Sequence, residues 1–157
     1  MNKPFEDYLC ERQAGMIGIA LEYVHGRADE VFVHAASEEG TSSFDVFYKI
    51  NGQIVRKEEI NSTIKPCETK YDDSEDRQDA MLDIGLDHID DIDEKCLEFG
   101  VKAPTEMRLH YDVGNGTFRA QLRYDNVFAD TPDLLPGNIF DAWFSSELRG
   151  GSSPDPA

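Results

Sequence analysis

The segment DHIDDIDE, residues 87–94, sets His88 among Asp87, Asp90, Asp91, Asp93 and Glu94. Carboxylates around an imidazole are ligands for a divalent cation, so metal binding is the first chemistry to weigh. A calcium loop of the EF-hand type needs acids at alternate positions, a central glycine and a terminal glutamate. This segment has no central glycine, and its apolar residues recur at helical spacing. Its acids read as a solvated helix face, with no metal assigned. Paired carboxylates also perform general acid–base work, as in glycoside hydrolysis. With 32 Asp and Glu in 157 residues, chance pairs are expected everywhere, and no pair stands out. His25, His34, His88 and His110 are scattered over four segments, and Cys10, Cys67 and Cys96 lack CxxC spacing. Nothing marks a Cys–His nucleophile pair, a zinc site or a disulfide framework. Phosphate-cradling glycine loops, HExxH and GxSxG are absent as well. The expectation is a protein with no catalytic residue, no metal and no cofactor.

What remains is charge. The chain carries 32 acidic against 15 basic residues, a net −17. From Glu68 to Glu98, 13 acids face only Lys70, Arg77 and Lys95, so that stretch alone holds −10. An acidic face on an ordered helix suits a basic protein partner and repels nucleic acid and anionic membrane. Asp83, Asp87, Asp90, Asp91 and Glu94 are the candidate partner-binding residues. Phe47 is a further candidate: it lies on the strand face opposite Phe44, Val46, Tyr48 and Ile50, and an exposed aromatic ringed by acids would anchor a basic partner. No apolar run approaches the roughly 20 residues that span a bilayer. The N-terminus lacks the apolar core of a signal peptide, and the cysteines suit a reducing compartment, so a cytoplasmic location is expected.

The elements that must position these residues follow from periodicity. Residues 4–26 have a helical apolar rhythm, weakened by Gly15 and Gly18, whose lack of side chains would let another element pack close. Residues 30–36 and 43–50 are β-branched, aromatic and alternating. Asn51-Gly52 accepts positive φ at both central positions of a type I′ turn, so a hairpin returns through residues 53–58. Residues 59–73 are polar, contain Pro66 and read as a loop. A long helix spans 75–99, with Asp72 or Ser74 as caps, Gly100 as its stop, and Met81, Leu82, Gly85, Ile89, Ile92, Cys96 and Phe99 as its buried stripe. Residues 106–113 and 117–125 form a second hairpin about Gly114-Asn115-Gly116. Its expected inward face includes Phe118, Ala120, Leu122 and Tyr124, and Arg108, His110, Arg119 and Arg123 face outward. A last helix spans 136–148, with Ile139, Phe140, Trp143 and Phe144 as its apolar face. The fold class is α+β: one domain over 1–148, order α-β-β-β-α-β-β-α, with an antiparallel sheet of about five strands against helices and a flexible tail at 149–157.

The succession SFDVFYKINGQIVRKEEIN, EDRQDAMLDIGLDHIDDI, PTEMRLHYDVGNGTFRAQLRYD and LLPGNIFDAWFSSEL resembles the YezG-like immunity (antitoxin) family, over roughly residues 30–148. The likeness lies in strand–hairpin patterns and the closing DxWF helix, with no catalytic signature. It implies a small cytoplasmic protein without enzymatic activity. Such a protein binds the C-terminal toxin domain of a bacterial polymorphic or contact-dependent inhibition system, often a nuclease, and blocks it stoichiometrically. A nuclease needs a basic groove for phosphates, and an acidic helix face competes for that groove. Two other readings stay open at this level: an intracellular adaptor that holds a basic protein, and a small carboxylate-dependent enzyme.

Overall fold

The computed structural model describes residues 3–150. The expected tail at 149–157 falls mostly outside them, and only Arg149 and Gly150, a turn after the last helix, are described. The element order is α1 (Phe5–Tyr23), β1 (Glu30–Glu38), β2 (Thr41–Ile50), β3 (Gln53–Arg56), a 3-10 helix (Lys57–Thr63), α2 (Glu75–Phe99), β4 (Glu106–Asp112), β5 (Thr117–Arg123) and α3 (Pro136–Leu148). The five strands form one antiparallel sheet in the order β3-β2-β1-β4-β5. The expected α+β class and element order are both present.

The local chemistry explains the boundaries. Asn51 and Gly52 have φ of 50° and 79°, the double positive that a type I′ turn requires. Ser74 caps α2 by accepting a hydrogen bond from the Arg77 N–H, and Gly100, at φ 68°, ends it in the left-handed region. Pro136 opens α3, where the Asn138 side chain accepts from the Leu135 N–H at 2.8 Å. The polar stretch expected as a loop at 59–73 begins instead inside the 3-10 helix, which buries Ile60 and Thr63. Its second half is tied down at Tyr71, whose N–H and carbonyl both bond the Asn61 side chain.

Alternation sends the two faces of the sheet to two cores. On one face Val31, Val33, Ala35, Phe44, Val46, Tyr48, Ile50 and Leu109 pack beneath α1 and α2. On the other, Phe32 and Phe47 pack beneath Phe140, Trp143 and Phe144 of α3. The molecule therefore has three layers, with two helices below the sheet and one above.

Two glycines permit close approach on α2's inner side. A Cβ on Gly85 would fall 2.2 Å from Phe44 Cδ2, and Phe44 is buried. Gly85→Ala gains about 1 kcal/mol of helix propensity but must displace that ring. The expected result is a net loss of about 1–3 kcal/mol in urea unfolding. A Gly85→Ala/Phe44→Leu pair should recover most of it, as non-additivity in a double-mutant cycle. Gly15 in α1 plays the same part against the His88 ring, where a Cβ would fall 2.5 Å from Cε1. Gly18 has open space around its Cα, so only one of the two α1 glycines serves packing.

The second hairpin departs from expectation. Of Phe118, Ala120, Leu122 and Tyr124, only Leu122 is half-buried, and the other three are exposed. The cause is geometric: α2 lies mainly over β2 and β1, and α1 mainly over β1 and β4, so β5 sits at the margin of the helical layer, where Leu122 packs against the core. Strict alternation marks a strand with two unlike faces; it does not guarantee that a layer covers the apolar one.

Candidate partner-binding surface

α2 carries the acids in a pattern that its own geometry sorts. Met81, Gly85, Ile89, Ile92 and Cys96 form the buried stripe. Asp83, Asp87, Asp90 and Glu94 recur at steps of four, three and four, so they lie in one line on the opposite, exposed side. The line extends backward through Asp79 and Asp76, both exposed and outside the expected set. At 1.5 Å per residue, the six acids span about 27 Å. None of the six has an ion-pair partner among the described residues. Like charges three and four residues apart destabilise a helix by a few tenths of a kcal/mol per pair. The stripe thus holds a modest unrelieved repulsion that an approaching cation lowers.

Asp91, also in the expected set, is set apart. It points toward α1, where its Oδ2 accepts from the Arg12 guanidinium at 3.2 Å. Asp93 turns toward the sheet and accepts from Ser37 Oγ at 2.8 Å; burial lifts its carboxyl above the usual carboxylate range. Lys95, beside the stripe, is held by Glu98 at 3.0 Å and by the face of the Tyr8 ring at 4.2 Å. The acids of DHIDDIDE therefore divide between solvent, the α1 interface and the sheet. His88 sits in the α1–α2 interface against Gly15, with its Nδ1 3.4 Å from the Arg12 guanidinium. Burial and then the Arg12 charge push its pKa below the ordinary imidazole value. Among the described residues, no three His, Cys, Asp or Glu side chains come together in a way that could hold a metal ion.

Phe47 requires a correction. It is 0% exposed, stacked on Phe32 with ring centroids 4.4 Å apart and met edge-on by Phe140, Trp143 and Phe144. A ring covered on all sides cannot anchor a partner. The reason is α3, whose apolar face needed a surface to cover and found the aromatic face of the sheet. The most exposed apolar side chain beside the acids is Leu97, three residues past Glu94 and 85% exposed; Ile84, next to Asp83, is exposed to a lesser degree. Val101 follows at the same end and is also exposed. Leu97 was legible in principle: it continues the Asp76–Glu94 line and falls off the Met81–Cys96 stripe.

Three of the four outward basic residues of the second hairpin meet carboxylates. His110 meets Glu30 at 2.5 Å, Arg108 meets Glu106 at 3.1 Å and Arg123 meets Asp125 at 2.7 Å. No helix among the described residues is long and apolar enough to cross a membrane. No protein-family model matches the chain, and no curated protein matches it.

Proposed function

We propose that the chain is an immunity protein that binds and neutralises a cognate, basic bacterial toxin domain, of which a nuclease is the expected kind. The observation that carries this reading is the unpaired line Asp76, Asp79, Asp83, Asp87, Asp90 and Glu94 ending at the exposed Leu97. An acidic line of this length tracks a groove built to hold phosphates. Leu97 supplies an apolar contact inside a polar rim, the usual anatomy of a protein interface. The likeness to YezG-like immunity proteins points the same way. Inhibition is stoichiometric, needs no cofactor and takes place in the cytoplasm of the cell that makes the toxin.

Charge also sets the kinetics. Opposite fields steer the encounter, so the association rate falls as salt screens them, on a length of about 8 Å at physiological ionic strength. The test begins with capture of the tagged chain from its producing bacterium. The expected partner is one near-stoichiometric protein, the C-terminal end of a large exported chain. Reversal of Asp83, Asp87 and Asp90 to Lys should then weaken that complex about 100-fold or more, chiefly through the association rate, and flatten its salt dependence. It should also cost the producer its protection. The three positions are exposed and unpaired, so thermal unfolding should barely move. Unchanged affinity would remove α2 from the interface. Recovery of only salt-labile, heterogeneous basic proteins would remove the toxin.

A further inference from the structure

α1 and the second hairpin do not close on each other. Between them lies a groove of about 410 Å³. Ile17 and Gly18 of α1 line one side; Tyr111 of β4 and Phe118 of β5, paired across the hairpin, line the other. Pockets of about 300–1,000 Å³ with an apolar lining and a few placed polar groups are the kind that hold small molecules. Among the described residues, none that lines this groove is charged.

Two residues of α1 say what it takes. The first is Gln13, which lines the groove and is only 5% exposed. Its Nε2 donates to Met107 Sδ at 3.8 Å; a thioether only accepts, so the amide nitrogen belongs on that side. The amide oxygen, Oε1, has no hydrogen-bond partner among the described residues. Among those residues, the one fully enclosed side-chain N or O without a partner is His34 Nδ1, so Gln13 Oε1 is not enclosed and opens to the groove. A nearly buried acceptor of this kind calls for a donor.

The second is Gly18. Glycine weakens a helix interior, and no close packing accounts for it here: a Cβ would meet nothing within 4 Å. A larger side chain at this position would fill the groove. We propose that the groove binds an uncharged, largely apolar small molecule with one hydrogen-bond donor, such as an aryl amine or a phenol, whose donor meets Gln13 Oε1. A charged ligand would lose its hydration against a lining that offers no counter-charge. α2 lies on the other flank of α1, so the groove and the acidic line are separate, and the inference stands independently of the toxin reading.

N-phenyl-1-naphthylamine is such a molecule: it is uncharged, has a single N–H and fluoresces on leaving water. Titrated into the full chain, it should bind saturably at one site. Bound probe should slow alkylation of Cys10, which lines the groove, by N-ethylmaleimide several-fold, and leave Cys67, exposed outside the groove, unaffected. Gly18→Leu should weaken binding about tenfold or more and unfold at no lower temperature, because leucine is the better helix former. Gln13→Met keeps the length of the side chain and removes the acceptor. It should weaken N-phenyl-1-naphthylamine about three- to tenfold, the worth of one hydrogen bond. The competitor 1-benzylnaphthalene, with a methylene in place of the N–H, should bind Gln13→Met and the unaltered chain alike. No saturable binding, equal alkylation of Cys10 with and without the probe, undiminished binding by Gly18→Leu, or equal weakening of the two naphthalenes in Gln13→Met would each overturn the proposal.

Discussion

Phe47→Ala is expected to lower the free energy of unfolding by about 3–5 kcal/mol and to loosen α3 from the sheet. The ring lies at the centre of the aromatic layer, with Phe32 stacked beneath it and Phe140, Trp143 and Phe144 edge-on at 5.7, 5.0 and 5.3 Å. Removing it deletes the buried area of an aromatic side chain and leaves a cavity that α3 closes only by moving. Other contacts that hold the helix are Phe32 against Trp143, His34 against Phe140 and Trp143, and Arg108 over the Trp143 ring. Arg56 reaches Asp141 at 2.7 Å and lies over the Phe144 ring at 4.2 Å, and both contacts are at the surface. Against a total stability of about 5–15 kcal/mol, the loss is large. Trp143 is the chain's one tryptophan and is buried, so its emission reports the docking directly. The variant should show a red-shifted spectrum in native buffer and a lower urea midpoint. Phe118→Ala, at the exposed edge, should change stability by no more than about 0.5 kcal/mol. An unchanged midpoint together with lost partner binding would return Phe47 to the role of a surface anchor.

That the sequence left Phe47 open has a physical cause. In SFDVFYKI, aromatics stand on both faces of one strand, and alternation assigns parity without saying which layer lies over which face. The complementary facts were both legible: β2 has an odd-face aromatic, and α3 has the apolar face Phe140, Trp143 and Phe144. That they meet is a long-range packing choice, made between segments almost a hundred residues apart, and no local pattern encodes it. β5 went wrong for the related reason that helices are wider than strands. Two helices about 10 Å apart, lying over β2, β1 and β4, leave β5 at the margin of their layer, with only Leu122 half-buried. Where short-range chemistry decides, the reading holds. The Asn51-Gly52 turn, the Ser74 and Gly100 ends of α2 and five residues of its expected stripe, Met81, Gly85, Ile89, Ile92 and Cys96, lie where propensity and periodicity place them; of the other two, Leu82 is only half-buried, and Phe99, in the last turn, is exposed. The acids show the division within one helix. The 3.6-residue repeat separates Asp87, Asp90 and Glu94 from Asp93, which faces the sheet. Only the position of α1 explains why Asp91 pairs with Arg12.

The second large effect lies at the other end of the α3 layer. Glu106 and His34 are 2% and 1% exposed, and His34 Nε2 meets Glu106 Oε2 at 2.8 Å. An ionised carboxylate only accepts, so Nε2 carries the hydrogen of that bond. The Arg108 Nε–H reaches the same oxygen at 3.1 Å, with its guanidinium over the Trp143 ring. His34 Nδ1 has no hydrogen-bond partner, which makes Glu106 the imidazole's whole polar satisfaction. Glu106→Ala removes the acceptor from a buried donor and uncovers Arg108, and should cost about 3–5 kcal/mol, the range for breaking a buried pair from one side. Glu106→Gln keeps the shape and an acceptor oxygen and should cost less. Burial alone would raise the Glu106 carboxyl, but the bonds from His34 and Arg108 outweigh it and hold the group below the usual carboxylate range. The unfolded chain therefore takes up this proton first as pH falls. The contribution is fully present above the ordinary value of 4.5 and is lost as pH drops through the lower folded value. In equilibrium unfolding followed from about pH 6 down to about pH 3, the wild type should lose stability more steeply than Glu106→Gln. The difference isolates one carboxylate among 32. Parallel curves for the two proteins would show that Glu106 takes up its proton alike in the folded and unfolded chains, and the buried pair would then be no source of acid sensitivity.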